Sequence, residues 1–368
     1  MSYFIVIIAI LLFLIRSVFF IIGLRKNRKL VISKQDFSQN VSIIIPARNE
    51  ESNIKSCLKS ILDCEYPSSK VQIIVINDRS SDNTEAIVRS QQKLNLNIEL
   101  VNITNESAKD NIPGKAGAIH QGLIHAKNEL VLMTDADCTV TKTWISGLVN
   151  VFNTEKADMV ASFSIINAVS VFDKLQELQW FYMNCMASGS AGMNYLLGCY
   201  GNNQSFKRSC YFETGGYKEI SFSVTEDLAL LQEFHKNNFK ISYPCDPMLE
   251  VKTNPISSIG DYIKQQHRWA VGGKSLGFKA FLFVITSLSI WVGGIFCILE
   301  NNYFLLSLLL ISRIAFDASL MIPALRKFNL FSLQKYILIG VPFFLILELI
   351  SPTFLLNSKV KWKGQVFR

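Results

Sequence analysis

Residues 3–24 form an almost unbroken apolar run. As a helix it would span roughly 33 Å, enough to cross the hydrocarbon core of a bilayer. No basic stretch precedes it and no small-residue cleavage site ends it, so a retained anchor is expected rather than a signal peptide. Three further runs, near 280–299, 303–323 and 336–356, each approach the ~20 residues a crossing helix needs. These four runs fix the plan: an N-terminal anchor with its flank (1–30), a domain over 41–275, C-terminal membrane segments (280–356) and a basic tail (357–368).

Charge supports that plan. The 368 residues carry a net charge of +8, from 37 basic and 29 acidic residues. Arg25, Lys26, Arg28 and Lys29 follow the first run, and Lys359, Lys361, Lys363 and Arg368 follow the last. Without those eight, 29 basic residues face 29 acidic ones. The excess belongs to membrane edges, and the Arg25–Lys29 cluster places the domain on the cytoplasmic face. No basic, aromatic-lined face is left for nucleic acid. With 49% hydrophobic residues and a mean hydropathy of +0.26, a disordered or acidic solvating chain is excluded. The eight cysteines form no CxxC pair, so neither a zinc site nor a disulfide scaffold is signalled.

The membrane segments contain charges. Arg16 must snorkel or find a partner. Arg313 and Asp317 lie four apart on one helix face and are expected to pair as a packing element. Glu348 has no partner identifiable in the sequence. Three C-terminal crossings would leave the basic tail outside, whereas Pro342 and Pro352 suggest a last segment that turns back.

Between the anchors the pattern alternates. Val41–Pro46, Val71–Asp78, 97–103 and 129–135 read as strands, with helices near 50–63, 82–94 and 116–127. Such alternation predicts an α/β domain with a mostly parallel, Rossmann-like sheet. Ligands of such sheets bind beyond the carboxyl ends of the strands. Arg48, Asn49 and Glu50 follow the first strand, Asp78 ends the second, and Asp135 and Asp137 follow the fourth. Residues 170–197 are apolar and aromatic, and are expected to form an interfacial helix.

Two carboxylates one residue apart at a strand end suit a hard divalent cation, Mg2+ or Mn2+, that bridges phosphates. No GxxxxGK[ST] is present, which excludes a P-loop. Gly114–Gly117 reads as a flexible turn carrying one cation, Lys115. Thr225 is placed to cap a helix that begins Glu226-Asp227. Gln265, Arg268 and Trp269 lie on a helix just before the membrane segments.

The ordered set IIIPARNEE, VINDRSSDNT, GKAGA, TDADC, GNNQSFKRSCYFETGGY, TED and QQHRW resembles glycosyltransferase family 2, with the GT-A fold, from about Val41 to Trp269. The Q-x-x-R-W element resembles the membrane-embedded branch, which includes polysaccharide synthases and ceramide glucosyltransferases. The tail 360–364 is similar to the W-x-G ending of lipid glucosyltransferases. The resemblance implies that Glu50 and Asp78 contact the nucleotide base, and Lys115 the base or diphosphate. It implies that Asp135 helps to hold the nucleotide sugar, Asp137 the metal, and that Asp227 is the catalytic base. Gln265, Arg268 and Trp269 would then sit by the diphosphate and the acceptor. Cys138 and Asn203 lie within these motifs and are expected only to pack.

The function expected is inverting, metal-dependent transfer from a nucleotide sugar, UDP-linked by expectation, to a membrane lipid acceptor. The nucleotide-sugar donor, a lipid acceptor or growing glycan, and membrane lipids are the expected partners, and oligomerisation is allowed. The alternatives are a processive polysaccharide synthase and, of another class, a nucleotide-binding membrane scaffold without turnover.

Overall fold

Strands rich in Ile and Val, with helices on both faces, bury both sides of a sheet. The computed structural model describes residues 2–29, 36–105, 110–357, 359–362 and 365–367. Lys363, Gly364 and Arg368, on which part of the tail reading rests, lie outside the described residues.

The chain opens with α1 (Ser2–Lys29), then β1 (Val41–Ala47), α2 (Ile54–Leu62), β2 (Val71–Asp78), α3 (Thr84–Gln92), β3 (Ile98–Ile103), α4 (Gly114–His125) and β4 (Leu130–Met133). It continues through β5 (Thr139–Val140), α5 (Trp144–Glu155), β6 (Met159–Ala161), β7 (Ser164–Ile166), α6 (Val171–Gly192), β8 (Gln204–Lys207), α7 (Arg208–Glu213) and α8 (Glu226–Lys236). The remainder is β9 (Ile241–Ser242), β10 (Val251–Thr253), α9 (Ile259–Gly272), α10 (Phe278–Leu299), α11 (Tyr303–Lys327), α12 (Ile337–Phe354), β11 (Val360–Trp362) and β12 (Gln365–Phe367). Two compact units result: one of residues 30–167 and 198–254, the other of 1–29, 168–197 and 255–368.

The first unit is the α/β domain. Its seven-stranded sheet has the order β3-β2-β1-β4-β8-β6-β9. β1, β2, β3 and β4 are parallel, while β8 runs antiparallel to β4 and β6. Ile43, Ile45, Ile73, Val75 and Leu132 fill one core with residues of α2 and α5. On the other face Ile44 meets α4 so closely that a Cβ on Gly122 would lie 2.6 Å from its side chain. Parallel strands bring their carboxyl ends to one edge, where the sequence concentrates its acids. A small second sheet, β5-β10-β7, ties the turn after β4 to the rest: β5 follows that turn directly and pairs with β10.

The second unit is helical. Four helical stretches, Ser2–Arg28, Phe278–Leu299, Tyr303–Lys327 and Phe331–Phe354, are long and apolar enough to cross a membrane. α6 crosses α1 at glycines: a Cβ on Gly23 would lie 1.8 Å from the Gly189 carbonyl oxygen, and one on Gly192 2.2 Å from that of Gly23.

Arg16 finds its partners here. Its guanidinium donates to Ser287 Oγ (3.0 Å) and Tyr182 Oη (3.2 Å) and lies 3.9 Å over the Phe13 ring. Tyr182 donates to Asp317 (2.8 Å), and Asp317 pairs with Arg313 Nε at 2.7 Å. Arg313 also donates to both oxygens of Glu348 at 2.9 Å, and Ser287 hydrogen-bonds Glu348. The result is a closed polar ring through α1, α6, α10, α11 and α12. It supplies the partner that sequence could not give Glu348.

α12 is one continuous helix through Pro342 and Pro352. The Ser2 amide donates to Glu300 (3.3 Å), so α1 begins where α10 ends. Lys327 donates to the Arg28 carbonyl (3.0 Å), so α11 and α1 end together. Lys274 donates to the Leu355 carbonyl (3.2 Å), and His267 bonds that of Asn357 (2.7 Å). The end of α12 therefore returns to the segment that leads into α10.

Candidate active site

The centre of the α/β unit is an ion cluster at the carboxyl edge of the sheet. Lys115 Nζ lies 2.5 Å from Asp135 Oδ1 and 3.4 Å from Glu226 Oε1. Burial opposes its charge, yet Asp135 and Glu226, and then Asp227, hold the ammonium well above the usual lysine range. Lys115 is therefore a fixed cation.

Gly114–Gly117 forms not a free turn but the first turn of α4, with Pro113 at its N-cap and Gly114 at φ 67°. Only glycine takes that φ without strain. The helix then aims Lys115 at the turn after β4, which a loop would leave variable.

Asp227 lies in the first turn of α8. Its Oδ2 accepts from the Gly201 amide and its Oδ1 from its own Leu228 amide, both at 2.8 Å. A Cβ on Gly201 would stand 3.2 Å from the Asp227 Cβ. Gly201 thus admits the aspartate and orients it. Thr225 occupies the N-cap position, but its hydroxyl makes no capping bond. That hydroxyl pairs with Ser223 Oγ instead, at 3.1 Å.

Glu50 follows β1 and Asp78 ends β2 at the same edge. The Glu50 carboxylate accepts from Asn53 (2.9 Å) and its amide donates to Thr84 Oγ1 (2.8 Å). Asp78 accepts from Arg79 Nε at 2.8 Å. The two loops are laced together, since Asn49 Oδ1 accepts from the Ser81 amide (2.8 Å) and the Glu51 amide donates to Asp82 (3.0 Å).

Asp135 and Asp137 frame the turn after β4, with Cys57 beneath, its thiol donating to the Asp135 carbonyl at 3.4 Å. Burial, with Asp137 and Asp135 adding to it, pushes the Cys138 thiol far up, so it remains protonated. Among the described residues no three His, Cys, Asp or Glu gather as a metal nest. Asp135 and Asp137 are the two carboxylates at this turn, and such a pair would suit a hard divalent cation completed by diphosphate and water oxygens. Asn203 packs as expected: its amide nitrogen bonds the Phe163 and Leu249 carbonyls, both at 2.8 Å.

Gln265, Arg268 and Trp269 lie on α9, in the helical unit. Their i, i+3, i+4 spacing puts them on one face. Neighbouring Gln266 bonds Gln179 of α6 at 3.0 Å, and Trp269 meets Trp180 of α6 with ring centroids 5.4 Å apart.

Two residues that sequence reasoning left without a role belong to this site. Glu226 shares Lys115, and its place beside Asp227 in TED was the available signal. Gly201 carries no sequence signal for its bond to Asp227.

A sheet of this order, with a cation, a carboxylate pair and a separately oriented aspartate at its carboxyl edge, defines a GT-A-like α/β transferase domain. The profile of glycosyl transferase family 2 matches residues 42–229, and the chain belongs to that family. It is similar to a poly-beta-1,6-N-acetyl-D-glucosamine synthase of Staphylococcus epidermidis, 28% identical over 69% of this chain and 60% of the relative. It is also similar to a beta-monoglucosyldiacylglycerol synthase of Trichormus variabilis, 28% identical over 63% of this chain and 48% of the relative. The chain thus spans about half to three-fifths of the length of these relatives. A mannosyltransferase of Pyrobaculum calidifontis, solved with GDP-Man and Mn2+, shares the fold with a TM-score of 0.62, covering 97% of this chain and 99% of that one at 16% identity.

Proposed function

We propose that the protein is an inverting, metal-dependent glycosyltransferase that moves one sugar from a UDP-sugar to a membrane lipid acceptor. The observation that carries this reading is Lys115 held between Asp135 and Glu226, beside an aspartate oriented by two backbone amides.

In the proposed reaction the acceptor hydroxyl oxygen attacks the anomeric carbon. The bond from that carbon to the diphosphate oxygen breaks, and the hydroxyl proton passes to the Asp227 carboxylate. Lys115 and Arg268 supply cationic stabilisation for the leaving diphosphate. Glu50 and Asp78 hold the base, and Asp135 the nucleotide sugar. Asp137, with Asp135, would hold Mg2+ or Mn2+, which adds positive charge beside the diphosphate. Gln265 and Trp269 would receive the acceptor.

A processive synthase is the second reading, and the similarity to the polysaccharide synthase favours it. Product sizing separates the two. Full-length protein in lipid nanodiscs, screened with nucleotide sugars and a lipid extract, is expected to yield lipids bearing one added sugar by mass spectrometry. Long glycan chains would overturn single transfer. No product with any donor would overturn the transferase reading itself.

A further inference from the structure

α4 carries Lys115 in its first turn and, further along, His120, which is buried (3% exposed) and has no part in the proposed transfer. His120 Nδ1 lies 2.8 Å from the Tyr211 hydroxyl on α7. That hydroxyl accepts from the Tyr217 amide at 2.9 Å. The Tyr217 hydroxyl in turn donates to the Glu226 carbonyl at the start of α8, at 3.4 Å. The Glu226 carboxylate lies 3.4 Å from Lys115, so the contacts close on α4, where they began.

The proton positions follow from the partners. His120 Nε2 faces Asp110 Oδ2 at 3.3 Å, and Lys218 holds the same oxygen at 3.0 Å. An ionised carboxylate only accepts, so Nε2 carries the imidazole proton and Nδ1 accepts from the Tyr211 hydroxyl. Burial first, and then Lys218, lower the His120 pKa against the opposing pull of Asp110. Nδ1 therefore stays an acceptor at neutral pH.

Gly216 fixes the turn between the two tyrosines. Its φ is 58°, which favours glycine, and a Cβ there would strike the Tyr211 ring. The Tyr211 ring is fully buried and stacks on Phe206 of β8, with centroids 5.9 Å apart. The Gly201 amide orients the Asp227 carboxylate locally. The chain through Tyr217 acts on a different variable, the place of the first turn of α8 against α4. We propose that His120 is a positioning residue that, through Tyr211 and Tyr217, sets the start of α8, and with it Asp227, against Lys115. This rests on the roles of Asp227 and Lys115 in the proposed function.

The test uses full-length protein in nanodiscs. Solid-state NMR of protein labelled with 15N-histidine reads the tautomer without turnover, and the His120 signal is the one missing from His120→Asn. Wild type is expected to show a neutral ring protonated at Nε2, and Tyr211→Phe to shift the Nδ1 resonance. In turnover, His120→Leu removes the acceptor and is expected to lower kcat about tenfold with UDP affinity within about twofold, since Asp135 still holds Lys115. His120→Asn, whose amide oxygen stands near the place of Nδ1, should recover most of that loss. Tyr217→Phe removes only the bond to the Glu226 carbonyl and should match His120→Leu. The two together should cost little more than either alone, because both cut one chain. Losses that multiply in the double variant overturn the proposal, because separate structural defects add in free energy. A His120→Asn enzyme as slow as His120→Leu overturns it too, as does a His120 ring protonated at Nδ1 or indifferent to Tyr211→Phe. Failure of the transferase reading is seen separately, as no product from wild type with any donor, while the tautomer still decides the contact.

Discussion

Glu348→Gln is the sharpest perturbation of the helical unit. Arg313 is fully buried (0% exposed) and Asp317 1%. The ring holds two formal cations, Arg16 and Arg313, against two carboxylates, Asp317 and Glu348. Neutralising Glu348 leaves one excess positive charge in an apolar interior and weakens two 2.9 Å bonds to Arg313. Breaking a buried pair from one side costs about 3–5 kcal/mol, and the amide retains one acceptor oxygen, so about 3 kcal/mol is expected. In nanodiscs this should lower Tm by at least about 5 °C, read by thermal unfolding. The double variant Arg313→Met, Glu348→Gln keeps Arg16 and Asp317 in balance, so its loss should be smaller than the sum of the two single losses. A Glu348→Gln protein with unchanged Tm, or strictly additive losses, would refute the reasoning that the ring is one coupled network.

Gly201→Ala should lower kcat about tenfold with donor binding unchanged, because the new methyl group must displace Asp227 by a few tenths of an ångström; steady-state kinetics with equilibrium donor binding checks this. Lys115→Ala should weaken UDP binding at least tenfold by calorimetry. With the Lys115 pKa raised by its acidic neighbours, wild-type UDP binding should show no loss from this group up to about pH 10, since a raised pKa keeps the cation charged through that range. A tag after Arg368 should be labelled by an impermeant reagent from the same side of the membrane as a cysteine placed at Arg25, because Leu355 and Asn357 bond Lys274 and His267 in the segment that leads into α10.

The layout of the α/β unit was readable because its signals are local. The Ile- and Val-rich strands, the acids at their ends and the four long apolar runs each lie within a few residues of one another. Two local readings differed for local reasons. Gly114–Gly117 was expected to be a flexible turn, but Pro113 and the positive φ of Gly114 start α4 there. Thr225 was expected to cap α8, but Ser223 takes its hydroxyl. What sequence could not supply is long-range. Arg16 meets Tyr182 and Ser287 across 166 and 271 residues of chain, and Glu348 meets Arg313 on another helix, so periodicity carries no trace of either. Gly201 is silent for a related reason: its contribution is a backbone amide and the absence of a side chain, both defined only once β8 and α8 come together.

The central claim is that Asp227 accepts the acceptor's proton in a glycosyl transfer. The most direct measurement compares wild type with Asp227→Asn in nanodiscs under single-turnover conditions, with the UDP-sugar and lipid found in the donor screen, a divalent cation present, and product read by mass spectrometry. Donor binding should persist within about threefold while the transfer rate falls by at least about a hundredfold. Transfer by Asp227→Asn at the wild-type rate would contradict it.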